Sequence, residues 1–135
     1  FMDDYGHHPT EIAVTLEAAR DYFAKRKIYV VFQPHQFSRT RLLLPDFAKS
    51  FGAADKVLLA PILAVRDSKE DIKSVSTELL VEAIERVSHN ATAYAGFPEI
   101  SAYLQAHLQP NDVVISMGAG KNSDWIREFI KEYKK

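Results

Sequence analysis

Residues 1–12 read FMDDYGHHPTEI, a dense group of polar side chains placed directly before a strong helix signal. Pro9 suits the first position of a helix, and Glu11 in the first turn is favoured by the helix dipole. Apolar residues then recur at helical spacing and predict one buried helix face: Ile12, Leu16, Ala19 and Phe23. The stretch therefore predicts the end of a strand, a polar turn and an amphipathic helix, with residues 4–8 at the carboxyl end of the strand.

The rest of the chain repeats this alternation of apolar runs and helical patterns. Further strands are predicted at residues 28–32, 57–60, 92–95 and 113–116. Such alternation predicts the α/β class, with a doubly wound, mostly parallel sheet of about five or six strands joined by right-handed crossovers. We expect residues 1–135 to form a single domain.

Several helices carry more local expectations. Pro45 should kink a helix or begin a new one, and Gly52 should end it. Residues 61–75 are predicted to form a long, mobile, solvent-facing connection. Ser76 should cap the helix that follows. The predicted inner face of that helix comprises Leu79, Leu80, Ala83, Ile84 and Val87.

Composition excludes several functional classes. The 135 residues include 17 basic and 18 acidic side chains, so a net charge of −1 gives no general electrostatic case for binding nucleic acid or an anionic membrane. The absence of cysteine excludes disulfides and thiolate metal sites. The chain opens at Phe1 inside a predicted strand, and we expect it to be a piece of a longer protein.

A second polar cluster, QPHQFSRTR at residues 33–41, follows the second predicted strand. Because parallel strands end at the same edge of a sheet, we expect this cluster to lie near residues 4–8. Arg39 and Arg41 could clamp a carboxylate or a phosphate through the planar fork of the guanidinium. Alternatively, both arginines are solvated residues at the start of a helix.

The histidines also have alternative interpretations. His7, His8 and His35 could bind a metal together with Asp3 or Asp4, or they could cap the turn or bond to a ligand. Tyr5 could stack on an aromatic ligand or pack beneath the turn. Residues 118–120 read GAG, which is too little for a dinucleotide fingerprint, and no phosphate-binding P-loop occurs in the sequence. Trp125 is assigned to the core.

The polar motifs resemble those of a known family. Residues 3–12 resemble the motif that opens the carboxyl-terminal domain of the alanine-adding Mur ligases, and residues 33–41 resemble the second motif of that domain. Residues 113–120 resemble its late strand and glycine turn. The related ligases that recycle murein tripeptide share the first motif but lack the second. The resemblance covers essentially the whole chain and favours the alanine-adding branch.

This resemblance implies an ATP-dependent, amide-forming ligase of peptidoglycan synthesis, acting in the cytoplasm. Such enzymes phosphorylate the carboxylate of UDP-N-acetylmuramate, and the amine of L-alanine then attacks the acyl phosphate. Their first domain binds the UDP-sugar, the central domain carries the P-loop and the Mg²⁺ ligands, and the third closes over the site. By implication this chain is the third domain, is inactive alone, and has no metal ligand or confidently assigned catalytic residue of its own.

The same resemblance assigns binding roles by position. Asp4 is expected near the ribose of ATP, with Tyr5 and His7 close to the nucleotide and the incoming amino acid. His35 and Arg39 are expected to line the L-alanine pocket. Arg39 would hold the carboxylate of alanine and help to neutralise charge on the acyl phosphate.

The chain departs from the family pattern at two positions. Gln36 stands where an arginine is common, and Leu42 stands where an aspartate is common. Gln36 thus removes one positive charge from the cluster. Two further interpretations stay open on the residues alone. One is a small metal-dependent hydrolase built on the clustered aspartates and histidines, and the other is a binding module for an anionic metabolite.

Overall fold

The computed structural model describes residues 1–134. Within these residues the strands are β1 (Met2–Asp4), β2 (Ile28–Phe32), β3 (Lys56–Leu59), β4 (Ala91–Ala93) and β5 (Val113–Met117). The helices are α1 (Pro9–Phe23), α2 (Phe37–Leu42), α3 (Leu44–Ala48), α4 (Lys69–Ser74), α5 (Thr77–Ser88), α6 (Phe97–His107) and α7 (Asn122–Tyr133). All strand pairs are parallel, in the order β1-β5-β2-β3-β4. The predicted α/β class is confirmed.

The sheet is covered on both faces because its buried strands carry apolar side chains on both sides. Val30 and Phe32 of β2 face a core closed by α1, α3 and α5. Tyr29 and Val31 face the opposite core, which α6 and α7 close. Fully buried central strands of this kind are typical of parallel sheets. The doubly wound arrangement is therefore also confirmed.

The segment around Pro45 contains a fresh helix start. Helix α2 ends at Leu42, and α3 begins at Leu44 with Pro45 in its first turn, where the missing N–H is tolerated. The expected stop at Gly52 is wrong, since α3 ends at Ala48. The hydroxyl of Ser50, which lies beyond the helix end, donates at 2.7 Å to the carbonyl of Asp46 within α3.

The connection predicted as a long loop is partly helical. Helix α4 lies within residues 61–75, and the Ser68 hydroxyl accepts from the Asp71 N–H at 3.1 Å. The Asp71 carboxylate accepts from the Ser68 N–H at 3.0 Å, which completes a capping box. The prediction of a loop throughout residues 61–75 is therefore wrong, since the segment contains a short helix. The short helix is stabilised mainly at its amino end. The capping residues Ser68 and Asp71 are a signal for this helix that the sequence contains.

Helix α5 begins as predicted, but its buried face is narrower. The Ser76 hydroxyl caps it by accepting from the Leu79 N–H at 3.1 Å. Leu80 and Ile84 are fully buried, whereas Leu79 is 47% and Val87 53% exposed. Leu79 points about 100° away from Leu80 around the helix axis, and Val87 lies in the last turn. The inward assignment of Leu79 and Val87 is therefore wrong.

Across residues 1–134, none of the helices combines the length with the hydropathy that crossing a bilayer requires.

Candidate functional site

The carboxyl ends of β1 and β2 carry the two polar motifs to one edge of the sheet. These strands are not neighbours, since β5 lies between them. His7 follows β1 and His35 follows β2, and their ring centroids lie 6.3 Å apart. The expectation that the two motifs meet is confirmed.

The first loop is fixed by the Asp4 carboxylate. One oxygen accepts from the Gly6 N–H at 2.7 Å and the other from the Thr15 hydroxyl at 3.3 Å. A Cβ at position 6 would lie 2.9 Å from Asp4 Oδ1, so a larger residue there would displace the Asp4 carboxylate. Asp4 thus shapes the turn, while the 70% exposed Tyr5 projects into solvent. Tyr5 is available for contact with a ligand.

The adjacent histidines serve different purposes. His8 Nδ1 accepts from the Thr10 N–H at 3.2 Å, and the Glu11 carboxylate accepts from the His8 N–H at 3.1 Å. His8 is therefore the N-cap of α1 within a capping box. His7 instead turns toward His35, with its ring edge-on to Tyr5 at 5.8 Å. Only His7 of the pair reaches the candidate site.

The candidate metal ligands do not converge. Over residues 1–134 the structure contains no group of three or more His, Cys, Asp or Glu side chains placed to hold a metal ion. Asp4 and His8 are each occupied in local turn and cap contacts. The geometry therefore gives no support to a protein-built metal centre among the described residues.

His35 is held by its backbone and shielded by its surroundings. It forms an isolated parallel bridge with Leu63, and its buried Nδ1 has no hydrogen-bond partner within residues 1–134. Burial lowers the pKa of His35 below its ordinary value of 6.5, and the nearby Arg39 and His7 lower it further. Asp67 acts in the opposite direction with a smaller effect. The site therefore favours a neutral imidazole at His35.

Arg39 lies in the first turns of α2, close enough to His35 to affect its charge. Within residues 1–134 it forms no ion pair with a carboxylate. A shallow groove beside it is lined by Gln36, Ser38, Arg39, Arg41, Leu42 and Leu43. A partly buried guanidinium without a protein carboxylate partner is suited to an external carboxylate or phosphate.

The backbone before α2 is constrained. Gln36 has a φ of 78°, a left-handed value that side chains rarely adopt, and its own side chain does not cap the helix. Its N–H donates to the Leu63 carbonyl at 2.8 Å, and its carbonyl accepts from the Thr40 N–H at 3.1 Å and hydroxyl at 2.8 Å. Strain of this type is often found beside functional sites.

A buried glutamine links this loop to two others. Gln33 Oε1 accepts from the Lys121 N–H at 2.9 Å, and Gln33 Nε2 donates to the Pro61 carbonyl at 3.2 Å. A Cβ at Gly120 would collide with the Gln33 side chain. Gly118 has a φ of 134° and donates to the Asp4 carbonyl at 3.2 Å. The glycine turn therefore has a structural reason for its residues.

Sequence reasoning assigned no role to two residues that shape the site. In the sequence, Gln33 is only one member of a polar motif, and Asp67 lies in a predicted loop. The Asp67 carboxylate accepts from the N–H groups of Phe37 and Ser38 at the start of α2. A signal existed for Asp67, because aspartate is a preferred helix-capping residue, but its target is 30 residues away.

The family model described as "Mur ligase, glutamate ligase domain" matches residues 1–120. The protein named UDP-N-acetylmuramate–L-alanine ligase in Alkaliphilus metalliredigens is 50% identical over 119 residues, covering 88% of this chain and 25% of that protein. The protein of the same name in Caldanaerobacter subterraneus is 42% identical over 134 residues, covering 99% and 28%. The chain thus spans about a quarter of the length of these curated relatives.

The fold agrees with solved structures. The UDP-N-acetylmuramate–alanine ligase from Thermotoga maritima matches with a TM-score of 0.73 at 25% identity, covering 96% of this chain and 25% of that chain. A murein peptide ligase from Psychrobacter arcticus shares the fold with a TM-score of 0.72 at 19% identity, over 96% and 26% of the two chains. On its sequence match, its sheet and its meeting motifs, the chain belongs to the Mur ligase family, in that family's glutamate ligase domain.

Proposed function

We propose that residues 1–135 are the carboxyl-terminal domain of an ATP-dependent ligase that joins L-alanine to UDP-N-acetylmuramate. The identity of 50% to a protein of that name supports the reaction. The observation that carries the proposal is the meeting of two motifs at one sheet edge, with His7 and His35 at 6.3 Å and Arg39 beside them. Ligands of open parallel sheets bind at this edge.

The proposed reaction has two steps. The muramate carboxylate first attacks the γ-phosphorus of ATP, which forms an acyl phosphate and releases ADP. The amine of L-alanine then attacks the acyl carbon, phosphate leaves with the C–O electron pair, and the amine loses a proton as the amide forms. ATP, L-alanine and UDP-N-acetylmuramate are thus the partners of the complete enzyme. The reaction requires neither nucleic acid nor a membrane.

Arg39 is proposed to bind the carboxylate of L-alanine. Its guanidinium has no protein carboxylate partner within residues 1–134 and stands beside the neutral imidazole of His35. A planar fork of donors matches a carboxylate in two parallel hydrogen bonds. Because the neutral His35 ring adds no positive charge, Arg39 supplies the fixed charge of this pair. Where the acyl phosphate approaches, the same charge would stabilise the transition state.

The first loop is proposed to contact the nucleotide. The exposed Tyr5 ring can stack on a base or pack against a ribose, and His7 lies between Tyr5 and His35. The Asp4 carboxylate already accepts two hydrogen bonds, but ionised carboxylates have about four acceptor sites. Asp4 therefore retains capacity for a ribose hydroxyl.

Magnesium is proposed to be held by another part of the enzyme. The part of the chain that the structure describes contains no convergent set of acidic or imidazole ligands, and the sequence contains no P-loop. The residues described here therefore do not fit a protein-built magnesium site. Catalysis would require this domain to close over a site carried elsewhere, which is a common use of domain closure.

The decisive variant is Arg39→Ala in the full-length ligase, assayed by phosphate release and amide formation. Loss of a charge-assisted carboxylate contact should raise the KM for L-alanine by about tenfold or more. The KM for UDP-N-acetylmuramate should change by less than about twofold, because loss of one local contact to L-alanine is not expected to weaken binding of the other substrate. Arg86→Ala, an exposed change on α5, is the matched control.

Two results would contradict the proposal. If Arg39→Ala raised the KM for L-alanine and the KM for UDP-N-acetylmuramate equally, Arg39 would not have the assigned role. Amide formation with a murein tripeptide, in place of L-alanine, would assign the enzyme to the recycling branch. L-alanine-dependent phosphate release by the parent enzyme, matched by amide formation, is the expected result.

A further inference from the structure

The loop after β3 is hydrogen-bonded to the loop that carries His35. The Leu63 N–H donates to the Pro34 carbonyl at 2.8 Å, and the Gln36 N–H donates to the Leu63 carbonyl at 2.8 Å. These two bonds extend the parallel pairing of β2 and β3 beyond the ends of the strands. The position of the second motif therefore depends on residues from another strand end.

Asp67 adds further hydrogen bonds between these two loops at the start of α2. Its Oδ2 accepts from the Phe37 N–H at 2.8 Å, and its Oδ1 accepts from the Ser38 N–H at 3.1 Å. Oδ2 also accepts from the Val65 N–H at 3.1 Å, which ties the carboxylate to its own loop. Since Gln36 provides no side-chain cap, Asp67 serves as a non-local cap for this helix.

The charge of Asp67 suits this role. Burial opposes ionisation of the carboxyl, but hydrogen bonds from the N–H groups of Phe37, Ser38 and Val65 outweigh it and lower the pKa of Asp67 below 3.8. Asp67 is also near enough to His35 to raise the pKa of that ring, against the effects of burial and Arg39. The carboxylate thus remains charged at the amino end of α2, where the helix dipole favours it.

The helix that it caps is short. Helix α2 has six residues, and Arg39 is the third of them. Isolated helices of this length are unstable in water, so α2 depends on contacts at its ends. The backbone of Phe37 and Ser38 determines the position of the Arg39 Cα, from which the side chain extends. A carboxylate that holds these two residues therefore also positions Arg39.

We propose that Asp67 is a positioning residue for L-alanine binding, acting through the first turn of α2 on Arg39 and His35. The inference rests on the proposed function, in which Arg39 holds the alanine carboxylate. Asp67 does not touch the substrate. Its loss should let α2 shift or fray, and misplacement by about 1 Å is enough to weaken a site substantially.

The test uses the full-length ligase with Asp67→Ala and Asp67→Asn. Asp71→Asn is the matched control, since Asp71 also accepts from a backbone N–H, but on α4 rather than α2. Asp67→Ala should raise the KM for L-alanine by about tenfold. Asp67→Asn should have a smaller effect because it keeps one acceptor oxygen. The KM values for ATP and UDP-N-acetylmuramate should change by less than about twofold in each variant.

A second readout follows the helix itself. Hydrogen exchange of the Phe37 and Ser38 amides should become faster in both Asp67 variants and stay unchanged in Asp71→Asn. If Asp67→Ala does not fold, Asp67→Asn, which keeps the size of the side chain, carries both measurements. The expected result combines faster exchange at the start of α2 with a selective rise in the KM for L-alanine.

Failure of the inference differs from failure of the proposed function. An unchanged KM for L-alanine, or a fall in kcat alone, would make Asp67 merely structural and overturn the inference while the ligase activity stands. A parent enzyme whose phosphate release does not depend on L-alanine would overturn the proposed function. The parent assay therefore comes before the variants.

Discussion

His35 has a protonation state that depends directly on its neighbours. Burial lowers its pKa below 6.5, and the nearby Arg39 and His7 lower it further. Between the folded-state pKa and 6.5 the unfolded chain binds more protons than the folded chain. The stability contributed by the neutral ring is therefore present above pH 6.5 and is lost as the pH falls through the folded-state pKa.

Arg39→Ala should raise the pKa of His35 toward 6.5, since it removes a nearby positive charge. The value should stay below 6.5, because burial is the larger cause and remains. An NMR titration of the His35 ring in the parent chain and the variant measures this shift. Arg41→Ala is the control, as Arg41 is not among the causes of the His35 shift. A pKa unchanged by Arg39→Ala would place the two groups farther apart than the structure does.

Other residues of the site could not be interpreted from the sequence because their partners are remote. Gln33 accepts from the backbone of Lys121, which lies 88 positions later. The resulting contact explains Gly120, where any Cβ would collide with Gln33. On local pattern alone, residues 118–120 match only part of a nucleotide fingerprint. Their role in joining strand ends becomes visible only when β5 is placed between β1 and β2.

Individual elements were predictable where local signals agreed. Helix α1 begins at Pro9, and the predicted bounds of β2 are those observed, because capping residues and apolar runs are read within a few positions. Prediction failed for residues 61–75, where α4 contributes no buried side chain and so has no apolar periodicity. The prediction that Leu79 faces inward failed for a related reason. The pattern shows which side chains are apolar but not how wide a stripe the sheet covers.

Arg20 joins the end of α1 to the turn before β3. Its guanidinium donates to the Ala53 carbonyl at 3.1 and 3.0 Å and to the Asp55 carboxylate at 2.7 Å. The same Asp55 oxygen accepts from the Ile28 N–H at 2.7 Å, at the start of β2. One arginine thus holds together the termini of three elements.

Arg20→Ala should lower the free energy of unfolding by about 2–3 kcal/mol, because it leaves the partly buried Ala53 carbonyl and the Asp55 carboxylate without their charged donor. Arg127→Ala is the matched control. Its ion pair with Asp124 spans 3.7 Å at exposed side chains, and such pairs contribute about 0–1 kcal/mol. Urea unfolding of both variants compares the two losses. Equal losses would contradict the importance given to the Arg20 contacts.

For the molecule as a whole, the strand order determines which loops meet. The chain runs from β1 through β4 and then returns to place β5 between β1 and β2. This brings the turn at residues 118–120 between the two polar motifs. Alternation of strands and helices predicted a parallel sheet, but many strand orders satisfy that pattern. The site was therefore predictable as an edge, and its central turn was not.

The isolated chain should fold but should not catalyse ligation. Its sheet is enclosed on both faces by buried apolar clusters, which predicts cooperative unfolding with a free energy of roughly 5–15 kcal/mol. Trp125, the single tryptophan, packs between Phe97 and Phe129 at 5.4 Å from each, so its fluorescence reports on this core. Urea transitions followed by fluorescence and by far-UV circular dichroism should coincide.

The same sample, given ATP, L-alanine and UDP-N-acetylmuramate, should form no amide, because the sequence lacks a P-loop and residues 1–134 hold no convergent metal ligands. Adding the remaining domains in trans, or splicing them to this chain, should restore phosphate release and amide formation together. With Arg39→Ala in the reconstituted enzyme, the restored phosphate release and amide formation should be lost at low L-alanine concentration. Turnover by the isolated chain would contradict the proposed division of labour, since the nucleotide and metal sites would then have to lie within these residues.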